Sequence, residues 1–259
     1  MPHADFAHAR INYRVDGPPS APWLTLSNSL GTDLDMWAPQ VPALIERFRV
    51  LRYDTRGHGA SSAPAAPYSI PALADDVVAL LDHVGAERTH FCGLSMGGMI
   101  GIRLALAAPR RIDRMVLANT GAKIGSAEGW NARISAVHTT GLATIADGIM
   151  ERWFVRAFRE AHPHEIARMR DVLVKASPDG YAACCAAIRD YDARPELAAI
   201  RAPTLAIAGA HDGPTPSSDL RFIAEHVPGA RYVELDAAHL SNIEQPTDFV
   251  AALVGHFTA

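Results

Sequence analysis

Cysteine is scarce in this chain: three in 259 residues, two of them adjacent at Cys184 and Cys185. Neighbouring cysteines cannot staple distant loops, so a disulfide framework is excluded and a packed core must hold the fold. No apolar run approaches the ~20 residues of a membrane-spanning helix, because Arg103 and Asp147 interrupt the best stretches. The first ten residues lack the apolar centre of a secretory signal. Positive charge is not in surplus either. With 24 Lys and Arg against 28 Asp and Glu, the formal net charge is −4, which offers no general attraction to nucleic acid or an anionic membrane. An acidic ligand would therefore have to be met by local arginines. There is no Gly-Lys-Ser/Thr phosphate loop, no dinucleotide fingerprint, no repeat and no low-complexity segment. The histidines are scattered, and His162-x-His164 around Pro163 has no third ligand at useful spacing, so no metal is expected. What remains is 49% hydrophobic and 20% charged, enough chain for one α/β domain with an insertion. The expectation is a cytoplasmic protein acting on a small molecule, with no cofactor, nucleic acid or membrane.

The most informative stretch present is Thr89 to Gly98. A short β-prone run enters Gly93–Leu94–Ser95–Met96–Gly97, and a helix-forming apolar segment, Met99 to Ala108, leaves it. This is the pattern of a nucleophile elbow, a strand-to-helix turn so tight that small residues must flank the serine. Gly93 and Gly97 let neighbouring backbone approach, and Ser95 is expected to occupy a strained conformation with its hydroxyl exposed. Five residues of this pattern arise readily by chance, so the surroundings must decide.

Before the elbow, strand signals fall at Arg10–Val15 (read as an antiparallel edge strand), Trp23–Ser27 and Val50–Tyr53. Helical spacing marks Met36–Phe48 and Ile70–Val84. After it come a strand at Met115–Ala118 and then, from about Lys123 to Ile200, only helical signals: Trp130–His138, Leu142–Phe158, His164–Ala176 and Tyr181–Asp190. Strands resume at Thr204–Ala208 and Ala230–Leu235, with helices at Ser218–His226 and Asp248–Phe257. Short alternating units predict a mostly parallel sheet covered on both faces. The helical segment predicts a cap, 123–200, inserted between core segments 1–122 and 201–259.

A serine needs a base, and the base needs a carboxylate to fix its tautomer. In open α/β sheets chemistry gathers at the carboxyl ends of the strands. Asp212 lies just past one late strand and His239 just past the last, so Ser95, Asp212 and His239 form the expected catalytic set. Asp236 is the rival acid. Two backbone N–H groups should hold the oxyanion. Met96 supplies one; Leu30, with Ser29 as alternate, supplies the other from the loop after Trp23–Ser27. Arg56 and its glycine-rich turn read as structural, bonding loop carbonyls, and His58 and His83 as without a chemical role.

These residues resemble the α/β-hydrolases along nearly the whole chain. More narrowly, Ser27–Asn28–Ser29–Leu30–Gly31–Thr32, Tyr53–Asp54–Thr55–Arg56–Gly57–His58–Gly59, Gly93 to Gly98 and Asp236 to Pro246 resemble bacterial 3-oxoadipate enol-lactonases. Many relatives carry His-Gly where Asn28–Ser29 stand. The resemblance implies an eight-stranded, mostly parallel sheet with a helical cap, and cofactor-free hydrolysis of a small anionic lactone. Its carboxylate is assigned to Arg133 beside Trp130 in the cap, with Arg152 and Arg156 as alternatives. Another ester or lactone hydrolase, a carbon–carbon bond hydrolase and a non-catalytic receptor on the same scaffold are the competing readings.

Overall fold

The computed structural model describes residues 2–259; Met1, which opens the expected segment 1–122, lies outside them. Eight runs of extended chain form one sheet: β1 (His3–Asp5), β2 (Arg10–Asp16), β3 (Trp23–Ser27), β4 (Arg49–Tyr53), β5 (Thr89–Leu94), β6 (Ile112–Ala118), β7 (Thr204–Gly209) and β8 (Arg231–Leu235). Their spatial order is β1-β2-β4-β3-β5-β6-β7-β8. β2 is antiparallel to both its neighbours, and β4, β3, β5, β6, β7 and β8 run parallel. The helices are α1 (Val41–Leu44), α2 (Ile70–His83), α3 (Met96–Ala107), α4 (Ala127–Thr140), α5 (Leu142–Trp153), α6 (Arg156–Ala161), α7 (Pro163–Lys175), α8 (Pro178–Asp190), α9 (Ser217–His226), α10 (Ser241–Glu244) and α11 (Pro246–Phe257).

Successive side chains of β5 show how a central parallel strand is covered on both faces. His90 stacks on Phe257 of α11, at 5.0 Å between ring centroids, while Phe91 points the other way, toward Gly101 of α3. Both faces are thus covered by helices, and every residue of β7 is buried. The parallel strands carry their carboxyl ends to one edge, where Ser95 and Asn119 follow β5 and β6 directly and Asp212 lies three residues past β7. Five helices, α4 to α8, lie between β6 and β7, as the helical pattern from Lys123 to Ile200 predicts. Among the described residues no helix is long and apolar enough to cross a membrane.

Several expectations need correction. β2 is not an edge strand, because β1 pairs outside it with Ala4 opposite Ile11. The helix expected over Met36–Phe48 shrinks to a 3₁₀ turn at Leu34–Trp37 and the four-residue α1. Pro39 has no N–H to donate and so interrupts the hydrogen-bond ladder ahead of α1, whereas Pro42 sits in the first turn of α1, where a missing donor is tolerated. The helix expected over Leu142–Phe158 breaks at Phe154, whose backbone is extended. Tertiary partners take over its hydrogen bonds: Trp153 O accepts from Leu240 N at 3.0 Å, and Val155 N donates to Glu244 Oε1 at 2.6 Å. Arg56 does not chiefly bond loop carbonyls; its guanidinium grips the buried carboxylate of Asp76 on α2.

Behind the sheet, His256 of α11 fixes β7 and β8. Its Nε2–H donates to Pro203 O at 3.1 Å, and its Nδ1 accepts from Arg231 at 2.9 Å. Burial, aided by the nearby arginines, lowers its pKa to about 4. A depressed imidazole pKa means that the unfolded chain binds a proton between the ordinary value near 6.5 and about 4 while the folded chain does not. This residue's stabilisation is present above that window and lost as pH falls through it. His256→Gln should therefore lose less stability than the parent between pH 7 and pH 4, by about 1–2 kcal/mol after allowance for solvent screening. Urea titrations at the two pH values check this, and equal losses in both proteins would contradict it.

Candidate active site

Ser95 joins β5 to α3 with φ 57° and ψ −117°, a conformation that a non-glycine residue adopts at a cost of about 1–3 kcal/mol. Its surroundings hold it there. Ser95 N donates to Ala118 O at 2.9 Å, and Ser95 O accepts from Thr120 Oγ1 at 2.6 Å and from Gly98 N at 2.9 Å. A Cβ on Gly93 would collide with the Gly97 carbonyl, and one on Gly97 with that of Ser27, so both flanking positions must be glycine. The hydroxyl lies on a cavity of about 220 Å³ that His239 also lines.

Behind the imidazole stands Asp212. Its Oδ2 is 2.9 Å and its Oδ1 3.1 Å from His239 Nδ1, with both residues buried. Burial alone would raise the carboxyl pKa. The charge the imidazole can carry and the hydrogen bonds from His239, Thr215 and Asn119 outweigh it and hold Asp212 below its ordinary value. The aspartate therefore stays ionised and orients Nδ1–H, leaving Nε2 as the basic nitrogen. Asp236, the rival acid, is exposed and pairs instead with His211 at 2.7 Å.

In the loop after β3, three consecutive N–H groups have different fates. Ser29 N donates to Met36 Sδ at 3.4 Å and Gly31 N to His58 Nε2 at 2.9 Å. Leu30 N, between them, has no acceptor among the described residues, and neither has Met96 N at the start of α3. Leu30 borders the cavity; Met96 adjoins Ser95. Two unengaged donors beside a serine hydroxyl can receive a developing oxyanion.

Helices α4, α5 and α8 also border the cavity. Trp130 and Arg133 of α4, three residues apart and so on one face, both border the cavity, as does Arg152 of α5. The Arg133 guanidinium sits 5.0 Å from the Trp130 ring centroid, and Trp130 Nε1 donates to Ile124 O at 2.7 Å. Neither Arg133 nor Arg152 pairs with a carboxylate among the described residues. Burial, then the charge of Arg133, lowers the pKa of Arg152. Arg156 points elsewhere, paired with Glu160 on its own helix at 2.7 Å. Among the described residues no group of three or more His, Cys, Asp or Glu could hold a metal ion.

A family model described as the alpha/beta hydrolase fold matches residues 22–246. The chain belongs to the α/β-hydrolase family. It is 44% identical over 239 residues to a 3-oxoadipate enol-lactonase of Acinetobacter baylyi, covering 92% of this chain and 90% of that one. A second enol-lactonase of the same organism is 40% identical over 245 residues, with 95% and 92% covered. The crystal structure of an enol-lactonase from Burkholderia xenovorans superposes with a TM-score of 0.98 at 48% identity, covering 100% of both chains.

Around the expected residues, this α/β-hydrolase sets groups that the sequence reading passed over. Asn119, buried with φ 44°, donates to Asp212 Oδ2 at 2.9 Å and to Ala238 O at 3.1 Å. It follows β6 as directly as Ser95 follows β5, so its place at a strand's carboxyl end was the available signal. Thr215 donates its N–H to Asp212 Oδ1 at 2.9 Å and its hydroxyl to Oδ2 at 2.7 Å. Glu244 accepts from Ala238 N and from Val155 N, tying the cap to the residue before His239. Against this background Asp212→Asn should lower turnover of an activated ester ~10⁴-fold by favouring the wrong tautomer. Asp236→Asn should stay within about threefold of the parent, as an exposed charge away from the cavity. Steady-state kinetics on the two variants decide, and a reversed ranking would move the acid to Asp236.

Proposed function

We propose that this protein is a serine carboxylic ester hydrolase that opens 3-oxoadipate enol-lactone to 3-oxoadipate, a step of aromatic catabolism, through an acyl-enzyme. The observation that carries this reading is the make-up of one cavity, which is lined both by a serine and a histidine and by two arginines without carboxylate partners among the described residues. A net acidic protein has no general positive field, so an anionic ligand accounts for two arginines, the half-buried Arg133 and the exposed Arg152, that border one cavity without carboxylate partners. The identity to enol-lactonases supports the choice among anionic esters. The reading divides the chain into a core of 1–122 and 201–259 and a cap of 123–200, and keeps the protein in the cytoplasm.

In this scheme Ser95 Oγ attacks the lactone carbonyl while His239 Nε2 takes its proton. Asp212 balances the imidazolium, and Leu30 N–H and Met96 N–H hold the oxyanion. Collapse breaks the bond to the ring oxygen, which leaves as an enolate, takes back the proton held on His239 Nε2 and tautomerises to a ketone, leaving His239 neutral. A ketone is a much weaker nucleophile than an enolate, so the tethered leaving group does not close the ring again. Water, deprotonated by His239, then attacks the acyl-enzyme, and Ser95 recovers its proton as the second carboxylate forms. Trp130 walls the flat ring, and Arg133 holds the carboxymethyl arm, with Arg152 beside it.

Turnover of the enol-lactone, measured beside its methyl ester and simple aryl esters, tests the proposal. The parent protein should prefer the free acid, and Arg133→Met should raise KM for it at least ~10-fold, since a charge-assisted hydrogen bond contributes about 1.5–3 kcal/mol. The neutral esters should be nearly unaffected. Equal losses on charged and neutral substrates, or none on either, would remove Arg133 from the carboxylate site. Absence of lactone turnover with retained esterase activity would remove the substrate assignment.

A further inference from the structure

In the loop after β3, Leu30 borders the cavity with its N–H unengaged, between two N–H groups that are held. The preceding N–H, of Ser29, is engaged by Met36 Sδ, and the following one, of Gly31, by His58 Nε2 at 2.9 Å. Gly31 has φ 83°, so the chain turns sharply just where the Leu30 peptide must be aimed. On one side, cap residues Leu173 and Tyr181 close over Gly31 so tightly that a Cβ there would overlap them. The histidine ring supplies the acceptor.

The ring is itself fixed. His58 Nδ1 lies 3.3 Å from Arg56 O, which can only accept, so Nδ1 carries the proton and the Nε2 lone pair is left for Gly31 N–H. Arg56 is anchored by its paired hydrogen bonds to Asp76 of α2, both side chains being buried. The neighbouring Gly57 packs against Gly180 of α8, and the His58 ring lies 6.3 Å from that of Tyr181. An unbroken line of contacts thus runs from Asp76 through Arg56 and His58 to Gly31, and ends at the Leu30 N–H. Burial lowers the His58 pKa to about 4, so at neutral pH the ring is uncharged and its acceptor lone pair is present.

We propose that His58 is a positioning residue for the oxyanion hole, fixing the Leu30 N–H by accepting the N–H of Gly31. This rests on the serine-hydrolase reading and gives an element outside the cavity a role in its transition state. His58 does not line the cavity. Its effect is expected on turnover, with ground-state binding left alone.

The test compares His58→Phe, which keeps a ring but has no acceptor, with His58→Gln, whose amide oxygen can take the Gly31 N–H. His58→Phe should lower kcat for the lactone ~10–100-fold with KM within about twofold, a fraction of what complete removal of an oxyanion donor brings. It should weaken phenylboronic acid, whose adduct on Ser95 carries a tetrahedral oxyanion, by a similar factor. The affinity for 3-oxoadipate, which needs no oxyanion hole, should not change. His58→Gln should recover most of the lost kcat. If His58→Phe does not fold, His58→Asn, too short to reach Gly31, takes its place in the comparison. Unchanged kcat and boronate affinity in a folded variant would overturn the proposal. So would parallel losses of boronate and 3-oxoadipate binding, which mark general damage to the site. Failure of the parent protein to bind the boronate at all would instead defeat the serine-hydrolase reading beneath it.

Discussion

The strained peptide at Ser95 is the constraint on which the rest of the arrangement depends. With φ 57° the residue cannot hold its place by local preference, and so it must be over-determined from outside. The restraints come from three strands: Gly97 N donates to Asn28 O after β3, Ser95 N to Ala118 O in β6, and β5 itself delivers the turn. The bond to Asn28 also brings the loop that carries Leu30 against the start of α3, where Met96 lies. The same close approach that strains the serine therefore assembles the two donors beside it. The missing side chains at Gly93 and Gly97 are what permit it.

A second constraint is the seam between sheet edge and cap. The helices inserted between β6 and β7 are not draped over a finished site, for their backbone takes part in fixing the histidine loop. Leu240 N donates to Trp153 O, and the Glu244 carboxylate accepts from both Val155 N and Ala238 N. Burial raises the pKa of this carboxyl, and the backbone donors oppose that shift. The cap thus contributes twice: its arginines give the cavity a charge that the protein as a whole does not have, and its break at Phe154 fixes the register of the loop bearing His239.

Legibility in the sequence followed the range of the interaction concerned. That Ser95 lies between glycines after β5, and Asp212 and His239 after β7 and β8, can be read because strand ends and chain order are local properties. Leu30 was chosen over Ser29 on position alone; the physical distinction, that Met36 Sδ engages the Ser29 N–H, needed the fold. The break at Phe154 was invisible because Leu142–Phe158 keeps helical spacing, and the groups that end the helix lie some 90 residues away at Leu240 and Glu244. β1 was missed since three residues with one buried side chain carry almost no periodic signal. His58 was passed over for a similar reason. A histidine in a glycine-rich turn reads as having no chemical role, and its burial beside the packing of Gly57 against Gly180 emerges only in the fold.

The most direct measurement is kcat/KM for 3-oxoadipate enol-lactone with the parent protein and with Ser95→Ala, the fold of both being verified by their thermal transitions. A serine nucleophile held as described requires the parent to turn the lactone over and the variant to lose ~10⁴-fold or more. A variant that keeps a tenth of the parent's activity would show that Ser95 is not the nucleophile and would contradict the account at its centre.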